Sequence, residues 1–172
     1  LPLMLLGGLR RAEVASLRRQ DYDGQTGELS LIGKGNKQRI IYLSGAVKSA
    51  MQRWLNQMGS SDDRTENKRQ ALFTRLVSGH HGACRSDAKA LSTQAVYDIV
   101  KKRAEQAGLD PVRPHDLRRT FITRLMLQGV DLHTISKMAG HESVVTTCRY
   151  DKRDASAQQE AACMLARLIR EG

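Results

Sequence analysis

The stretch Arg113-Pro114-His115-Asp116-Leu117-Arg118-Arg119-Thr120-Phe121 predicts the start of a helix on which two basic side chains share a face. Pro114 fixes its own φ and biases Arg113 away from helical backbone, so we expect the helix to begin near His115. The positive end of the helix dipole favours Asp116 in the first turn. His115 and Arg118, three residues apart, lie on one face. The apolar side is formed by Leu117, Phe121, Ile122 and Leu125.

The residues that follow place further polar groups near this pair. A His and an Arg at this spacing most often belong to a solvated helix face. Here, however, a short apolar pattern over residues 132–138 predicts a second helix that ends at Gly140, and His141 follows at once. Ser143 is a candidate N-cap for a third short helix that delivers Tyr150. Two histidines, an arginine and a tyrosine are therefore predicted around one point.

The composition indicates a polyanionic partner. The chain has 172 residues, enough for one domain, or one domain plus a tail, with a substantial core. It carries 28 Lys and Arg against 18 Asp and Glu, a formal net charge of +10. Aromatic residues are only 4% of the chain, which argues against stacking of single-stranded bases on rings. Contacts to phosphates are therefore the expected source of affinity.

The cysteines and the N-terminal residues bear on location. The 3 cysteines are an odd number without a Cys-x-x-Cys pair or a secretory signal, so we expect a reducing, cytoplasmic environment. The apolar run at residues 1–6 is far too short to cross a bilayer, and no membrane partner is expected. Its abrupt start without Met predicts a fragment of a longer protein. His80, His81 and Cys84 lie in one segment, but their spacing is not that of a metal site.

The first part of the chain predicts two helices. Residues 3–6 indicate the end of a buried helix, interrupted by the two glycines that follow. Residues 9–17 follow helical spacing, and Glu13 falls on their apolar side. A carboxylate there needs a partner, which Arg10 or Arg11 is near enough to supply. A plain surface salt bridge is the commoner arrangement for such a pair.

A hairpin follows these helices. The runs at residues 29–32 and 39–43 predict two antiparallel strands, joined by a Gly- and Asn-containing turn over residues 33–38. Lys34 lies at the mouth of this turn. A solvated lysine is the commoner case, although a lysine in this position is also able to reach a phosphate. The glycine pattern lacks the residue order of a P-loop, which excludes a nucleotide-binding loop.

The remaining patterns complete a mainly α fold with a small antiparallel β-sheet (α+β). Amphipathic patterns predict helices over residues 44–58 and 92–107, the second with Ile99 turned inward. The polar residues 59–70 predict a surface loop. Residues 155–169 predict a final helix whose apolar stripe has to cover either this domain or a neighbouring copy.

Five short motifs follow one another along the chain. They are Gly8-Leu9-Arg10 with Glu13, Gly33-Lys34-Gly35-Asn36-Lys37, His115-Asp116-Leu117-Arg118-Arg119-Thr120, Gly140-His141, and Thr146-Thr147 with Tyr150. In this order and with these spacings they resemble the catalytic domain of the tyrosine recombinases, also called the phage integrase family. The resemblance runs over nearly the whole chain. Any one motif is weak, but five in register are hard to obtain by chance.

The resemblance implies a set of catalytic residues. Matched position by position, the set comprises Arg10, Lys34, His115, Arg118, His141 and Tyr150. Tyr150 corresponds to the nucleophile and Lys34 to the hairpin lysine that acts as general acid. Glu13 matches the acidic residue that supports the first arginine. The pair Asp151-Lys152 departs from the pattern, because many family members have a His two residues after the tyrosine.

The implied chemistry accounts for these residue types. A phosphodiester under attack gathers negative charge on its non-bridging oxygens, which two arginine forks are able to bind. A tyrosine hydroxyl is mostly protonated at neutral pH, so the nucleophile needs a base, and His115 is the candidate. His141 would hydrogen-bond a non-bridging oxygen. The resemblance implies a covalent 3′-phosphotyrosyl link and a free 5′-hydroxyl, with no metal or nucleotide cofactor.

The resemblance also implies partners and a domain organisation. We expect double-stranded DNA as substrate, a tetramer on DNA for the intact protein, and accessory DNA-bending proteins. Residues 1–153 would form the catalytic domain, and residues 154–172 a C-terminal helix or tail that docks in cis or in trans. An N-terminal DNA-binding domain would be absent from this fragment. The implied source is a bacterium, a phage or another mobile element.

Three other functions share part of this pattern. A type IB topoisomerase uses similar residues, but the spacing from Gly140-His141 to Tyr150 fits recombinases better. A DNA-binding module that has lost catalysis is a second alternative, although every motif residue is present. A histidine-type phosphatase also places His and Arg on phosphate, but its Arg-His-Gly signature is absent.

Overall fold

The computed structural model describes residues 1–33, 38–43, 45–58, 69–78 and 84–150. The helices are α1 (Pro2–Leu6), α2 (Arg11–Ser16), α3 (Gly45–Met58), α4 (Thr93–Gln106), α5 (Pro114–Leu127), α6 (Leu132–Ala139) and α7 (Val144–Cys148). The strands are β1 (Glu28–Ile32), β2 (Gln38–Tyr42), β3 (Thr74–Ser78) and β4 (Cys84–Ala90). This confirms the expected mainly α fold with small antiparallel sheets.

The predicted hairpin is present. Strands β1 and β2 pair antiparallel, with Ile32 opposite Gln38 at the turn end. Because side chains alternate across a strand, β1 and the residues along β2 present one buried face and one exposed face. The buried face carries Leu29, Leu31, Ile41 and Leu43. Lys34 and the other residues of the turn, 34–37, lie outside the described part of the chain.

A second two-stranded sheet, formed by β3 and β4, was not predicted. The two strands pair antiparallel with a register irregularity between Thr74 and Leu76. The sequence of β4, Cys-Arg-Ser-Asp-Ala-Lys-Ala, has no apolar alternation and few β-branched residues, so it gives no strand signal. Of the candidate metal segment, residues 79–83 lie outside the described ranges.

Helix α5 begins at Pro114, within one residue of the expected start, with Arg113 as its N-cap. The Asp116 carboxylate accepts a hydrogen bond from the Arg113 backbone N–H at 2.9 Å, which satisfies a free donor at the helix start. Phe121 and Ile122 are buried, and they pack with Ile135 of α6. The helix is thereby held between α1 and α6, so its N-terminal turns are fixed relative to both.

Helix α4 differs from expectation in one detail. Helix α4 has the predicted cap, since Ser92 Oγ accepts from the Ala95 N–H at 3.0 Å, but Ile99 is 42% exposed rather than turned inward. Trp54 of α3 is half-buried and donates from Nε1 to the Leu72 carbonyl at 2.7 Å. Ser44, residues 59–68 and the predicted final helix fall outside the described residues. Within the described ranges, no helix is both long and apolar enough to span a membrane.

Candidate active site

Arg10 lies at the N-terminus of α2 and is held there by Glu13. The Arg10 backbone N–H donates to Glu13 Oε2 at 2.7 Å, and Arg10 Nη1 donates to Oε1 at 2.8 Å. Glu13 is only 6% exposed, whereas Arg11 next to Arg10 is exposed. The spacing alone left Arg10 and Arg11 open as partners of Glu13, the family resemblance implied Arg10, and in the structure Glu13 binds Arg10.

A second arginine, Arg39 of β2, binds the same carboxylate and was not foreseen. Its Nη1 and Nη2 donate to Oε1 and Oε2 of Glu13, both at 2.8 Å, in a bidentate pair. Burial raises the pKa of the Glu13 carboxyl, but hydrogen bonds from Arg39 and Arg10 outweigh burial and hold this pKa below its ordinary value. Glu13 is therefore an anion shared between two cations.

The C-terminal end of α6 organises three arginines. The last carbonyls of a helix lack intrahelical partners and carry the negative end of its dipole. Here three consecutive carbonyls each accept from a different guanidinium: Met138 from Arg39 Nε at 3.2 Å, Ala139 from Arg118 Nη2, and Gly140 from Arg10 Nη2 at 2.8 Å. The helix end thus sets the arginines side by side.

Arg118 is buried, with 3% of its surface exposed, and is anchored at both ends of its fork. Its Nη1 donates to the Gly8 carbonyl and its Nη2 to the Ala139 carbonyl. Burial and the nearby Arg10 charge lower the pKa of Arg118 to about 10, so it remains a cation at neutral pH. Arg118 therefore does not lie on a solvated helix face, where such a residue is usually found.

Two glycines allow the backbone to approach these arginines. Gly8 has a φ of +66°, and a Cβ built on it would lie 2.5 Å from the Phe121 ring. Gly140 has a φ of +66° as well, and a Cβ there would lie 2.7 Å from Arg39 Nη1. Any side chain at either position would be strained by the backbone and would push against its neighbour.

His141, directly after α6, is held by Thr147 of α7. Its Nδ1 lies 2.8 Å from Thr147 Oγ1, and Thr147 is fully buried. Burial, followed by the charges of Arg118 and Arg10, lowers the pKa of His141 to about 4. His141 is therefore neutral at pH 7 and able to act as a hydrogen-bond donor without carrying charge.

Tyr150, at the end of the described chain, reaches back to α5. Its hydroxyl lies 3.0 Å from Nε2 of His115. Its ring stacks on His141, with centroids 6.2 Å apart and planes inclined by 18°. The Tyr150 hydroxyl, His115, His141, Arg10 and Arg118 thus surround one point.

All of the sequence-predicted site residues that the structure describes therefore meet in space. The structure brings together Arg10, Glu13, His115, Arg118, His141 and Tyr150. Lys34 lies outside the described residues. Arg39 was not predicted as a site residue from the sequence, and Thr147 was given no role. A signal for Arg39 exists, because it lies on the same face of β2 as buried Ile41, and a charged residue on a buried strand face requires a partner.

The arrangement is suited to binding a phosphate. A guanidinium has five N–H donors. Within the described residues, Arg10 and Arg118 each use two side-chain nitrogens on protein acceptors, which leaves donors for an anion. An open cleft of about 700 Å³ lies beside Arg10, between β2 and α6, with Lys137 and His141 on its wall. In the described part of the chain, no group of three or more His, Cys, Asp or Glu is arranged to hold a metal ion.

Known proteins share both sequence and fold with this chain. The phage integrase family matches residues 1–157. The tyrosine recombinase XerD of Listeria innocua serovar 6a is 30% identical over 151 residues, which cover 87% of this chain and 48% of that protein. The chain therefore spans about half the length of the curated relatives it matches.

Two solved structures extend the similarity to the fold. The XerA recombinase superposes with a TM-score of 0.70 at 25% identity, over 94% of this chain and 55% of that one. The XerH site-specific recombinase, bound to its palindromic difH substrate in a post-cleavage complex, superposes with a TM-score of 0.68 at 24% identity, over 95% of this chain and 44% of that one. The chain belongs to the phage integrase family, the family of the tyrosine recombinases.

Proposed function

We propose that this chain is the catalytic domain of a site-specific DNA recombinase that cleaves and rejoins strands through a 3′-phosphotyrosyl intermediate on Tyr150. The observation that carries the proposal is the 3.0 Å contact between the Tyr150 hydroxyl and His115 Nε2, beside Arg10 and Arg118. A tyrosine hydroxyl next to a base and to two phosphate-binding cations has the parts of an activated nucleophile.

In the cleavage step, the Tyr150 oxygen attacks the phosphorus and passes its proton to His115 Nε2. Arg10 and Arg118 bind the non-bridging oxygens, where negative charge accumulates, with guanidinium donors that the described protein acceptors do not use. Neutral His141 donates from Nε2 to a non-bridging oxygen. Because the carbonyls and Glu13 already orient the two arginines, little reorganisation is needed when charge develops.

The bond from phosphorus to the 5′ oxygen breaks as the tyrosine bond forms. The departing oxygen needs a proton, and we assign this proton to Lys34, in the segment that joins β1 to β2. The products are a phosphotyrosine on the 3′ end and a free 5′-hydroxyl. A 5′-hydroxyl from a second strand reverses the step and joins the strands, so the energy of the phosphodiester bond is retained.

The substrate we propose is duplex DNA. The net charge of +10 and the cleft lined by Arg10 and Arg39 suit a phosphate backbone. The XerH relative, which shares this fold, was solved with its own substrate. We further propose that residues 1–153 form the catalytic unit, that residues 154–172 dock in cis or in a neighbouring copy, and that the intact protein assembles as a tetramer on DNA with accessory bending proteins.

A suicide-substrate assay tests the proposal. A duplex nicked near a candidate core site is incubated with the wild-type chain and with Tyr150→Phe, and covalent protein–DNA complexes are separated on a denaturing gel. We expect a covalent band from the wild type alone. A band that persists in Tyr150→Phe would assign the nucleophile elsewhere. If neither this chain nor a version extended by an N-terminal DNA-binding domain forms a band, the chain is a DNA-binding module without catalysis.

Relaxation of supercoiled plasmid by the same protein distinguishes a topoisomerase from a recombinase. A type IB topoisomerase would relax supercoiled plasmid lacking any specific site, whereas a site-specific recombinase requires its core sequence. Plasmid relaxation without sequence dependence would therefore favour the topoisomerase alternative.

A further inference from the structure

Arg39 connects three elements of the fold, each of which lies close to a proposed catalytic residue in the sequence. It lies on β2, five positions after Lys34 in the sequence, and its guanidinium forms a bidentate pair with Glu13 of α2. Its Nε also donates to the Met138 carbonyl at the end of α6, at 3.2 Å. One side chain thus joins the hairpin to the helix that presents Arg10 and to the helix end that precedes His141.

Burial of the Arg39 charge is unfavourable in free energy unless the ion pair with Glu13 is maintained. Its side chain is 11% exposed and that of Glu13 is 6% exposed, so both charges are largely removed from water. A buried ion pair adds little net stability compared with well-packed apolar residues, but loss of one partner leaves an uncompensated charge. The pair therefore contributes more to the arrangement of the site than to its stability.

Arg10 depends on the same carboxylate. Glu13 accepts from the Arg10 backbone and from Arg10 Nη1, while Arg39 occupies the other approach to both carboxylate oxygens. Without Arg39, the carboxylate is free to rotate toward Arg10 or to take up a proton. Either change alters the direction in which Arg10 presents its remaining donors.

We infer that Arg39 is a positioning residue. It fixes Glu13, and through Glu13 it fixes the orientation of Arg10 toward the scissile phosphate. It also ties the hairpin of β1 and β2 to the end of α6. This inference rests on the proposed function. Gly140 supports it, because the close approach of Arg39 to the Gly140 backbone leaves no room for a side chain.

The first test separates substrate binding from chemistry. DNA affinity and the single-turnover cleavage rate at saturating nicked duplex are measured for the wild-type chain, Arg39→Met and Arg39→Lys, with Arg53→Met on the exposed side of α3 as the matched control. We expect Arg39→Met to slow cleavage roughly 10- to 100-fold while DNA affinity changes by less than about 3-fold. Arg39→Lys, which keeps the charge but not the fork, should recover part of the rate.

The second test asks whether Arg39 acts through Arg10. If it does, Arg39→Met combined with Arg10→Lys should slow cleavage by less than the product of the two single effects. A cleavage rate in Arg39→Met equal to that of the wild type, or a loss confined to DNA affinity, would overturn the inference. Fully multiplicative effects would overturn it as well, because Arg39 would then act independently of Arg10.

A third measurement does not require cleavage and so separates this inference from the proposed function. The guanidinium N–H signals of Arg10 are followed by NMR in the free protein and assigned by comparison with Arg10→Lys. We expect the Arg10 signals to shift and to exchange faster with water in Arg39→Lys and Arg39→Met, and to stay unchanged in Arg53→Met. Unchanged Arg10 signals in the Arg39 variants would refute the positioning role even if the chain never cleaves DNA.

Discussion

The hydroxyl of Tyr150 lies 3.0 Å from Nε2 of His115, although 35 residues separate them in the sequence. The contact depends on short helices, because α6 and α7 turn the chain back toward the N-terminal turns of α5. At this distance His115 is within reach of the proton that the proposed nucleophile has to lose.

The first prediction concerns His115 as that base. Gln in its place keeps a polar side chain but cannot take up the proton, so we expect His115→Gln to slow covalent complex formation roughly 10²- to 10⁴-fold. The measurement is the single-turnover rate on the nicked duplex at saturation. His133→Gln, at an exposed position on α6, is the control and should cleave at the wild-type rate. A wild-type rate in His115→Gln would remove His115 from the mechanism.

The second prediction concerns Thr147, which is buried and lies 2.8 Å from His141 Nδ1. If its hydroxyl donates to Nδ1, the ring proton stays on Nε2, where it is able to donate to a phosphate oxygen. We expect Thr147→Val, which has the same shape without the hydroxyl, to slow cleavage roughly 10-fold or more, in line with other supporting hydrogen bonds. Thr147→Ser should restore most of the rate.

Nitrogen-15 NMR of the histidine rings checks this assignment directly. The wild-type protein should show His141 protonated on Nε2 alone, and Thr147→Val should show a mixture of tautomers. Thr146→Val is the matched control, since Thr146 adjoins Thr147 without contacting Nδ1 in the described hydrogen bonds. A wild-type His141 protonated on Nδ1 would show that the ring donates to Thr147, and the predicted role would be wrong.

The sequence predicts most helices and the first hairpin because their signals are local. The Pro114 start of α5, the Ser143 cap of α7 and the Gly140 end of α6 each depend on a few neighbouring residues. The second hairpin escapes prediction because β4 is polar and is held by pairing with β3. Tertiary pairing of this kind leaves no periodic trace in the sequence.

In the candidate site, too, local sequence signals allow prediction and tertiary contacts do not. Motif spacing identifies the side chains that meet at the site, but it contains no information about backbone acceptors. The carbonyls of Gly8 and Ala139 accept hydrogen bonds from Arg118 only because α1, α5 and α6 pack together. The pairing of Arg39 with Glu13 is equally non-local, although the inward face of β2 provides a signal that sequence reasoning is able to use.

The third prediction is the pH dependence of stability that His141 contributes. The pKa of His141 is about 4 in the folded protein, below its ordinary value of 6.5. Between these two values the unfolded chain binds a proton that the folded chain does not, so the free energy of unfolding falls as the pH is lowered from about 6.5 toward 4. Below pH 4 both states bind the proton, and the effect levels off.

Urea unfolding of the wild type and of His141→Gln at pH 7, 6 and 5 measures this effect. We expect the stability difference between the two proteins to become less favourable to the wild type as the pH falls, since only the wild type carries this histidine. Carboxylates contribute to both proteins alike and cancel in the comparison. A difference independent of pH would contradict the lowered pKa.

The last prediction concerns Gly8, whose carbonyl anchors Arg118. A methyl group at Gly8 meets both a backbone with φ of +66° and the buried Phe121 ring at 2.5 Å. Gly129 is the matched control, because its φ is +78° but a Cβ built on it meets none of the described residues within 4 Å. Gly129→Ala therefore carries the backbone strain alone.

Gly8→Ala should be the more damaging of these two alanine substitutions, in stability and in activity. We expect Gly129→Ala to lose roughly 1 kcal/mol of stability and to cleave at the wild-type rate. Gly8→Ala should lose roughly 2–4 kcal/mol and also cleave more slowly, because the displaced carbonyl turns the Arg118 fork away from the phosphate. Thermal unfolding measures the loss of stability, and the single-turnover assay measures the cleavage rate. Equal cleavage rates in the two alanine variants, at a temperature where both are folded, would show that Gly8 serves only packing.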